Sequence, residues 1–329
     1  AAVLISQNKL DEADLVYQEV QKHFGPSDEL TKVRQQIYLQ KGKSAQAIAE
    51  LEKLIRDNPQ NVNNYVYLAD IYTQLGDREK AVVVLEKGKG VDPQNTLIHL
   101  SLADNYRALN RFDDAFVELK VAFQSEDLSL DEKIRVIVSF FPLFADEKAR
   151  AFADELAAIL VHTYPHDPKS YATYGDVLFQ EQKYTEALQA YKSALKLNNQ
   201  IYEAWEQVVR IEVGNDDFQQ AIIDGDEALA FFPNQAVLYL FTGMAYARDQ
   251  KHEKTITYLK NAISLGSDDD QVLDQIYSTL GDSYNALKRY KESDEAYEKA
   301  LEINPANSYT LNNYAYYLSL RGVKLEKAA

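Results

Sequence analysis

The chain has no cysteine among its 329 residues, and it contains only one methionine and one tryptophan. Without a thiol, the sequence excludes a cysteine nucleophile, a disulfide framework, an iron–sulfur cluster and a cysteine zinc site. Positive charge is also scarce, because 35 Lys and Arg residues stand against 51 Asp and Glu residues, for a formal net charge of -16. An acidic surface repels phosphate backbones and anionic lipids, so we expect no nucleic-acid partner.

Long hydrophobic runs are missing as well. A membrane-spanning helix needs about 18 or more consecutive apolar residues, and the nearest approach, 134–144, is interrupted by Arg135, Ser139 and Pro142. We therefore expect no membrane insertion by these residues. The sequence begins at Ala1 without a charged and apolar leader. A signal peptide is either absent or removed, which leaves cytoplasmic and periplasmic or cell-envelope locations open.

What the sequence does contain is an internal repeat. Small residues recur at intervals of 34 residues, with two intervals of 38, and two further series keep the same spacing. An irregular helical bundle would not keep three series in phase, so the spacing indicates a repeat architecture. The small residues are Ala13, Ala47, Ala81, Ala115, Ala153, Ala187, Ala221, Thr255 and Ser293. The second series is Tyr38, Tyr72, Tyr106, Phe144, Leu178, Glu212, Tyr246, Tyr284 and Leu318, and the third runs from Gly88 to Ala300.

The pattern of apolar residues within each repeat predicts two helices. In the repeat at 168–201, apolar residues fall at helical spacing in two runs, Tyr171 to Leu178 and Ala187 to Leu195, and the polar turn 180–183 separates the runs. Proline follows the second run in several repeats and closes the helix, because it has no amide hydrogen and disfavours helical geometry in the residue before it. These prolines are Pro59, Pro93, Pro165, Pro233 and Pro305. We therefore expect an all-α fold of antiparallel helix hairpins.

The order of residues within a repeat resembles the tetratricopeptide repeat: an aromatic residue, Leu with Gly or Ala, Tyr, Ala, a second aromatic residue or Leu, Ala and then Pro. The best copy is Tyr277, Leu280, Gly281, Tyr284, Ser293, Tyr297, Ala300 and Pro305, and similar copies lie at 65–93 and 171–194. The resemblance covers nearly the whole chain. It implies an α-α superhelix, a tetratricopeptide solenoid, similar to long bacterial repeat proteins of the cytoplasm or cell envelope. Gly and Ala mark the point where the two helices cross closely.

We interpret residues 1–329 as a single array with boundaries at 1–26 (partial), 27–61, 62–95, 96–127, 128–167 (divergent), 168–201, 202–235, 236–270, 271–307 and 308–329 (partial). Four residues are added between Ala122 and Phe144 and again between Ala262 and Tyr284. Four residues are about one helical turn, so an added turn keeps the buried face in register. We expect Pro142 to end or kink its helix early, and the curvature to change near 125–145 and 263–275. Both end repeats look incomplete, so we expect the intact protein to be longer.

Residues that suggest chemistry do not form a catalytic pattern. The five histidines are scattered, and Pro165 separates the two that are close, so we expect solvated loop histidines and no metal. The segment Lys41-Gly42-Lys43-Ser44 ends like a phosphate-binding loop but lacks its glycine spacing and strand, so we interpret it as a turn between helices. Asp268-Asp269-Asp270 lacks the spacing of a calcium loop and is interpreted as a helix cap. We expect no enzyme activity within these residues and no cofactor.

The tetratricopeptide resemblance implies that the first helix of each hairpin lines a concave groove, into which the residue after the small Gly or Ala points. That residue is Asp70, Asp104, Asp176 or Asp282 in four repeats. Four acids favour a basic or hydrogen-bond-donating partner. The alternative is that the position is simply polar and solvated.

Toward the C-terminus the same groove becomes apolar and rich in amides, which suits an extended peptide because amides satisfy its backbone and rings cover its side chains. The candidate residues are Leu240, Phe241, Met244, Asn285, Tyr309, Asn312, Asn313 and Tyr316. The alternative for Leu240 and Phe241 is that they pack against the next hairpin.

One known binding mode of the family is disfavoured. Its clamp for the C-terminal carboxylate of chaperones needs lysine and asparagine on the first helix, where this chain has pairs such as Val66 with Asp70 and Ser278 with Asp282. The sequence favours a non-enzymatic scaffold or adaptor that binds a peptide or protein in the concave groove. The alternative is a recruiting arm of a larger enzyme, a glycosyltransferase or a protease, with its catalytic domain outside these residues.

Overall fold

The computed structural model describes residues 2–7, 9–25 and 27–323. Within those residues the regular structure consists of helices, without a strand. The chain divides into two compact units, Ala1–Leu156 (unit 1) and Ala157–Ala329 (unit 2). The prediction of an all-α array of helix hairpins is confirmed.

Unit 1 consists of consecutive helix hairpins. Its helices are α1 (Ala2–Ser6), α2 (Leu10–Phe24), α3 (Asp28–Gln40), α4 (Ser44–Asp57), α5 (Val62–Gln74), α6 (Arg78–Val91), α7 (Thr96–Ala108), α8 (Phe112–Gln124) and α9 (Leu130–Val138). A short 3₁₀ helix, Phe141–Leu143, follows, and α10 (Glu147–Thr163) begins in unit 1 and ends in unit 2. As expected, Lys41 to Lys43 form the turn between α3 and α4.

Unit 2 continues the pattern of paired helices. They are α11 (Pro168–Gln180), α12 (Tyr184–Leu197), α13 (Tyr202–Gly214), α14 (Phe218–Phe231), α15 (Ala236–Arg248), α16 (His252–Leu265), α17 (Asp270–Ala286), α18 (Tyr290–Ile303) and α19 (Ser308–Arg321). Each predicted repeat between 168 and 307 contains two helices, although α17 begins one residue before its expected boundary. That the whole chain forms a single array stays a prediction. The second helix expected from 325 onward lies outside the described residues.

The two helices of each hairpin approach closely at the small residues. Ala81, Ala187 and Ser293 are completely buried, like most of their series. The facing glycine is equally constrained, because a Cβ built on Gly281 would lie only 2.6 Å from Tyr297 Cε1. The space next to the crossing is filled by a buried aromatic ring, such as Tyr191 or Tyr297. The series of small residues therefore marks the helix crossings.

Only the second lengthened repeat gains a turn within its first helix, because α17 has 17 residues, whereas α9 has nine and most first helices have 13. Helices α9 and α17 begin 14 residues before Phe144 and Tyr284, whereas regular first helices begin 10 residues before the same position. The Asp269 carboxylate caps α17 by accepting hydrogen bonds from the backbone N–H groups of Gln271 and Val272, as predicted. Helix α9 ends at Val138, before Pro142, so the early end is confirmed as well. The predicted changes of curvature remain predictions.

The expectation of solvated loop histidines is wrong for four of the five, because His23, His99, His162 and His252 lie within helices, and His99 is the buried one. His99 lies within α7 and is 3% exposed. Its Nδ1 lies 2.5 Å from Glu118 Oε2 on α8, and its Nε2 lies 2.9 Å from the Pro93 carbonyl oxygen. His99 therefore fixes α7 to α8 and to the preceding turn. In contrast, His23, His162 and His166 are exposed.

The core of unit 2 contains two buried carboxyl groups, Glu212 and Asp224, with the partly exposed Lys192 beside them. Glu212 is fully buried at a position where most other repeats have an aromatic or leucine side chain. The Lys192 Nζ lies 2.6 Å from Glu212 Oε1 and 2.9 Å from Asp224 Oδ2. Burial and the neighbouring Asp224 carboxylate raise the pKa of Glu212 to about 8, although Lys192 acts in the opposite direction. At neutral pH the folded state therefore holds a proton on Glu212 that the unfolded chain has already lost.

This proton predicts a pH dependence of stability. A carboxyl group whose pKa is raised by folding stabilises the folded state fully at pH values below its unfolded pKa. That stabilisation is lost as the pH rises toward the folded pKa. We expect the free energy of unfolding of unit 2 to fall from about pH 5 to about pH 8, and Glu212→Gln to reduce that slope. Urea unfolding followed by the fluorescence of Trp205, the only tryptophan, measures it. Equal slopes in wild type and variant would contradict this assignment.

Close packing at the crossings predicts a cost for larger side chains. Ala187→Leu should destabilise unit 2 by about 1–3 kcal/mol, because the added atoms overpack the contact between α11 and α12. Ala81→Leu should have the same effect in unit 1. Ala230→Leu is the matched control for unit 2, because Ala230 is an exposed alanine on a second helix, α14. Urea unfolding measures the difference, and an unchanged midpoint for Ala187→Leu would show that the crossing has been misplaced.

Candidate functional site

First helices of successive repeats form one side of unit 2. Helix α13 packs against α15, α15 against α17, and α17 against α19. Between α15, α17 and α19 they leave a cavity of about 400 Å³, called here the unit 2 pocket. Its lining residues are Met244, Ala247, Arg248, His252, Gln275, Ser278, Thr279, Asp282, Ser283, Asn307 and Tyr309. The structure thus brings together three of the predicted groove residues, Met244, Asp282 and Tyr309.

Asp282 is fully engaged in hydrogen bonds within the protein. The Tyr309 hydroxyl donates to its Oδ2 at 2.5 Å, and the Asn313 amide donates to its Oδ1 at 3.1 Å. The Tyr297 hydroxyl also donates to Oδ1. Burial and the carboxylate together raise the pKa of Tyr309, which keeps its hydroxyl protonated as a donor. Asp282 therefore connects α17 with α18 and α19, and its expected attraction for a basic partner stays a prediction.

Asp176 repeats part of this arrangement. The Tyr191 hydroxyl donates a hydrogen bond to its Oδ1 at 2.8 Å, and burial raises the pKa of Asp176 to about 6. In both repeats the tyrosine follows the aspartate by 15 residues. This spacing is a sequence signal that could have identified the two bonded carboxylates, because Asp70 and Asp104 have a leucine at the same distance.

Asp70 and Asp104 lie in unit 1 with free carboxylates. They line a cavity of about 630 Å³ together with Arg78, Asn105 and Arg107. Neither aspartate makes a hydrogen bond or an ion pair with a described residue. Both side chains are exposed to solvent within the cavity, but the protein around them removes part of their hydration and so raises the pKa of both carboxyl groups. At Asp104, the positive charges of Arg107 and Arg78 act against this rise. These two residues keep the acidic character that the sequence predicted.

The other predicted groove residues are divided between core and surface. Leu240 is 1% exposed and packs with Ile256 and Leu259 in the core, so its assignment to the groove was wrong. It faces the next hairpin, which is the alternative considered for it. Phe241 is partly buried against the core, with the Arg210 guanidinium 5.1 Å from its ring centre. Asn285 is partly buried, and Asn312 and Tyr316 are exposed, but none of them lines the pocket.

Sequence reasoning missed the polar residues on the other side of the pocket. Ser283 is fully buried, and its hydroxyl has no hydrogen-bond partner among the described residues. The Nδ1 of His252 is likewise buried and without a partner in the described part of the chain. Arg248, one turn after Met244, makes no hydrogen bond or ion pair with a described residue. The spacing of Arg248 from Met244 could have placed it on the same face.

The described residues contain no group of three or more His, Asp or Glu side chains arranged to hold a metal ion. Among the helices of residues 2–323 that are described, none combines the length and the apolar character needed to cross a bilayer.

The bonding of Asp282 predicts that it holds α19 in place. Asp282→Ala leaves two tyrosine hydroxyls and an amide without their acceptor, at a cost of about 1–3 kcal/mol. We expect faster amide hydrogen exchange in 308–321, measured by mass spectrometry. Asp104→Ala is the control at the same position of another repeat, and exchange in α7 should not change. Unchanged exchange in α19 after Asp282→Ala would contradict this role.

Comparison with known proteins agrees with the repeat architecture. Four family models, each described as tetratricopeptide repeat, match residues 38–92, 173–236, 274–307 and 296–328, which together are just over half of the chain.

Among known proteins, human tetratricopeptide repeat protein 12 is 30% identical over 115 residues, which are 33% of this chain and 16% of that protein. The small glutamine-rich tetratricopeptide repeat-containing protein 2 of Mycosarcoma maydis is 30% identical over 91 residues, which are 28% of this chain and 25% of that protein. The match therefore spans a quarter or less of the length of these relatives.

A solved structure, the C-terminal part of a TPR repeat-containing protein from Cytophaga hutchinsonii, is 15% identical, with a TM-score of 0.49. The match covers 85% of this chain and 98% of that one. Taken together, the family matches and the relatives support a protein-interaction scaffold in general terms. With these matches and the paired helices described above, the chain belongs to the tetratricopeptide repeat family and is a multi-repeat protein.

Proposed function

We propose that the protein is a non-enzymatic scaffold that binds an extended segment of a partner protein across the first helices α15, α17 and α19 of unit 2. The observation that carries this proposal is the unit 2 pocket, a cavity of about 400 Å³ on that side of the unit. The alternative of an arm of a larger enzyme draws no support from the family matches, which fall within the repeats.

The pocket has the size and the lining for a short segment. A cavity of a few hundred Å³ encloses one or two side chains and is too small for a folded domain. Met244 and Ala247 provide apolar surface, and Tyr309 is 51% exposed at the edge. The side chains of Gln275 and Asn307 also line it, and amides of this kind can hydrogen-bond to the backbone of an extended chain.

Two aromatic residues extend this surface beyond the pocket. Phe241 lies on α15 and Tyr316 on α19, the two helices that flank α17. Tyr316 is exposed, and its ring centre lies 5.6 Å from that of Tyr317. Exposed aromatic side chains contribute strongly to binding when a partner covers them. We expect the segment to contact both rings while one of its side chains enters the pocket.

Unit 1 offers a second and different surface. The free carboxylates of Asp70 and Asp104 favour a basic or hydrogen-bond-donating segment, because charges of opposite sign direct association. Arg78 and Arg107 line the same cavity, so the cavity also contains positive charge. The basic preference that the sequence suggested is therefore proposed for unit 1 alone.

The proposed surface predicts the effect of removing both rings. The double substitution Phe241→Ala with Tyr316→Ala should abolish capture of the partner from an extract of the native host, while circular dichroism stays near that of wild type. Quantitative mass spectrometry of the retained proteins measures capture.

The matched control is Tyr184→Ala with Tyr290→Ala, which removes two partly exposed rings from second helices, α12 and α18. A partner that is lost with Phe241 and Tyr316 but kept in the control supports the proposal. A partner that both double variants retain would move the interface away from the first helices.

A further inference from the structure

The unit 2 pocket contains one carboxylate, and both of its oxygens already accept hydrogen bonds within the protein. The Asp282 carboxylate accepts hydrogen bonds from Tyr297, Tyr309 and Asn313. A lysine or arginine of a partner would have to compete with these bonds. The carboxylate that the sequence suggested as an attraction for basic groups is therefore poorly placed to act as one.

The groups without partners in the pocket can each donate a hydrogen bond, His252 only when its Nδ1 carries the proton. Arg248 carries a positive charge, is exposed, and makes no ion pair with a described residue. The hydroxyl of Ser283, which is 0% exposed, and the Nδ1 of His252 both lack a partner among the described residues and line the same cavity. A buried hydroxyl without a partner costs free energy, which a bound acceptor would recover.

We propose that the unit 2 pocket selects an acidic side chain, glutamate or aspartate, of the bound segment. This inference rests on the proposed function. The carboxylate accepts hydrogen bonds from the Arg248 guanidinium and the Ser283 hydroxyl, and from His252 when Nδ1 carries a proton. The methylene groups of the side chain lie against Met244 and Ala247.

The arrangement differs from a clamp for a chain terminus. Ser278 and Asp282 occupy the positions where the clamp requires lysine and asparagine, and the free cation, Arg248, belongs to the preceding first helix, α15. A side-chain carboxylate and a C-terminal carboxylate share the same chemistry, so the experiment has to separate them. The negative charge of Asp282 also lies in the pocket. The experiment therefore has to show whether the pocket prefers an acidic side chain over lysine.

The first step of the experiment is a selection of random 12-residue peptides, displayed with a fused C-terminus, on the 329-residue chain. A parallel selection uses Arg248→Gln, and Lys291→Gln is the control, because it removes the same charge from an exposed residue of α18. We expect glutamate or aspartate to be enriched at one position on wild type and on Lys291→Gln, and not on Arg248→Gln.

The second step measures affinity by fluorescence anisotropy with the best peptide, C-terminally amidated. Arg248→Gln should weaken binding by about 10-fold or more, as expected for a desolvated charge pair. Ser283→Ala, which removes only the hydroxyl, should weaken it by a smaller factor. A peptide in which the selected glutamate or aspartate is replaced by glutamine or asparagine should bind wild type and Arg248→Gln equally, because the charge interaction is then absent from both complexes.

The outcomes separate the two proposals. If wild type selects no peptide, the proposed function fails and this inference fails with it. In a second outcome, wild type selects peptides that bind less well to the Phe241 and Tyr316 double variant, but these peptides have no enriched acid, or have lysine, at the position that enters the pocket. The proposed function then stands, and the acidic preference is overturned. A free C-terminal acid that binds more tightly than the amidated peptide, independently of the internal acid, would assign the donors to a chain terminus instead.

Discussion

The close approach of two helices within each hairpin is the constraint on which the rest of the structure depends. Two helices can pack this closely only where a small residue faces the neighbouring helix. Ala187 and Ser293 are fully buried at such points. The contact fixes the rotation of each helix about its axis. It therefore also fixes which residues of a first helix face the second helix and which face outward, where a partner can reach them. The candidate site is a consequence of this packing.

Tyrosines near the crossings then decide the chemistry of the outward face. Tyr191 and Tyr297 fill the space beside a glycine, and their hydroxyls reach through to Asp176 and Asp282. Where the same position is a leucine, as in the repeats of Asp70 and Asp104, the carboxylate stays free. Core composition and groove charge are thus linked, since one residue inside a repeat determines whether an acid on its surface can serve a partner.

Much of the fold could be predicted because its information is local. The 34-residue spacing, the helix end before Pro142 and the extra turn before Asp274 depend on residues close together in sequence. The site was less predictable. Leu240 and Phe241 are neighbours on α15, yet only one is in the core, and a single helical position separates the two outcomes. The bonding of Asp282 depends on residues up to 31 positions away, and sequence spacing alone does not show their hydroxyl and amide groups converging. His99 was misassigned for the same reason, because its partner, Glu118, lies on another helix.

The turns inside seven of the hairpins share a further feature. One residue in the turn adopts the left-handed conformation, with φ near +60°, and in five repeats it is Asn110, Gln182, Asp216, Gln250 or Lys288. The first repeats use Gly42 and Gly76 at the same place. A side chain there is mildly unfavourable, by about 1 kcal/mol, but it makes the loop edge chemically variable. The backbone of these turns can therefore stay the same while the exposed residue is an amide, an acid or an amine, so that the turns within each unit can diversify without changing the fold.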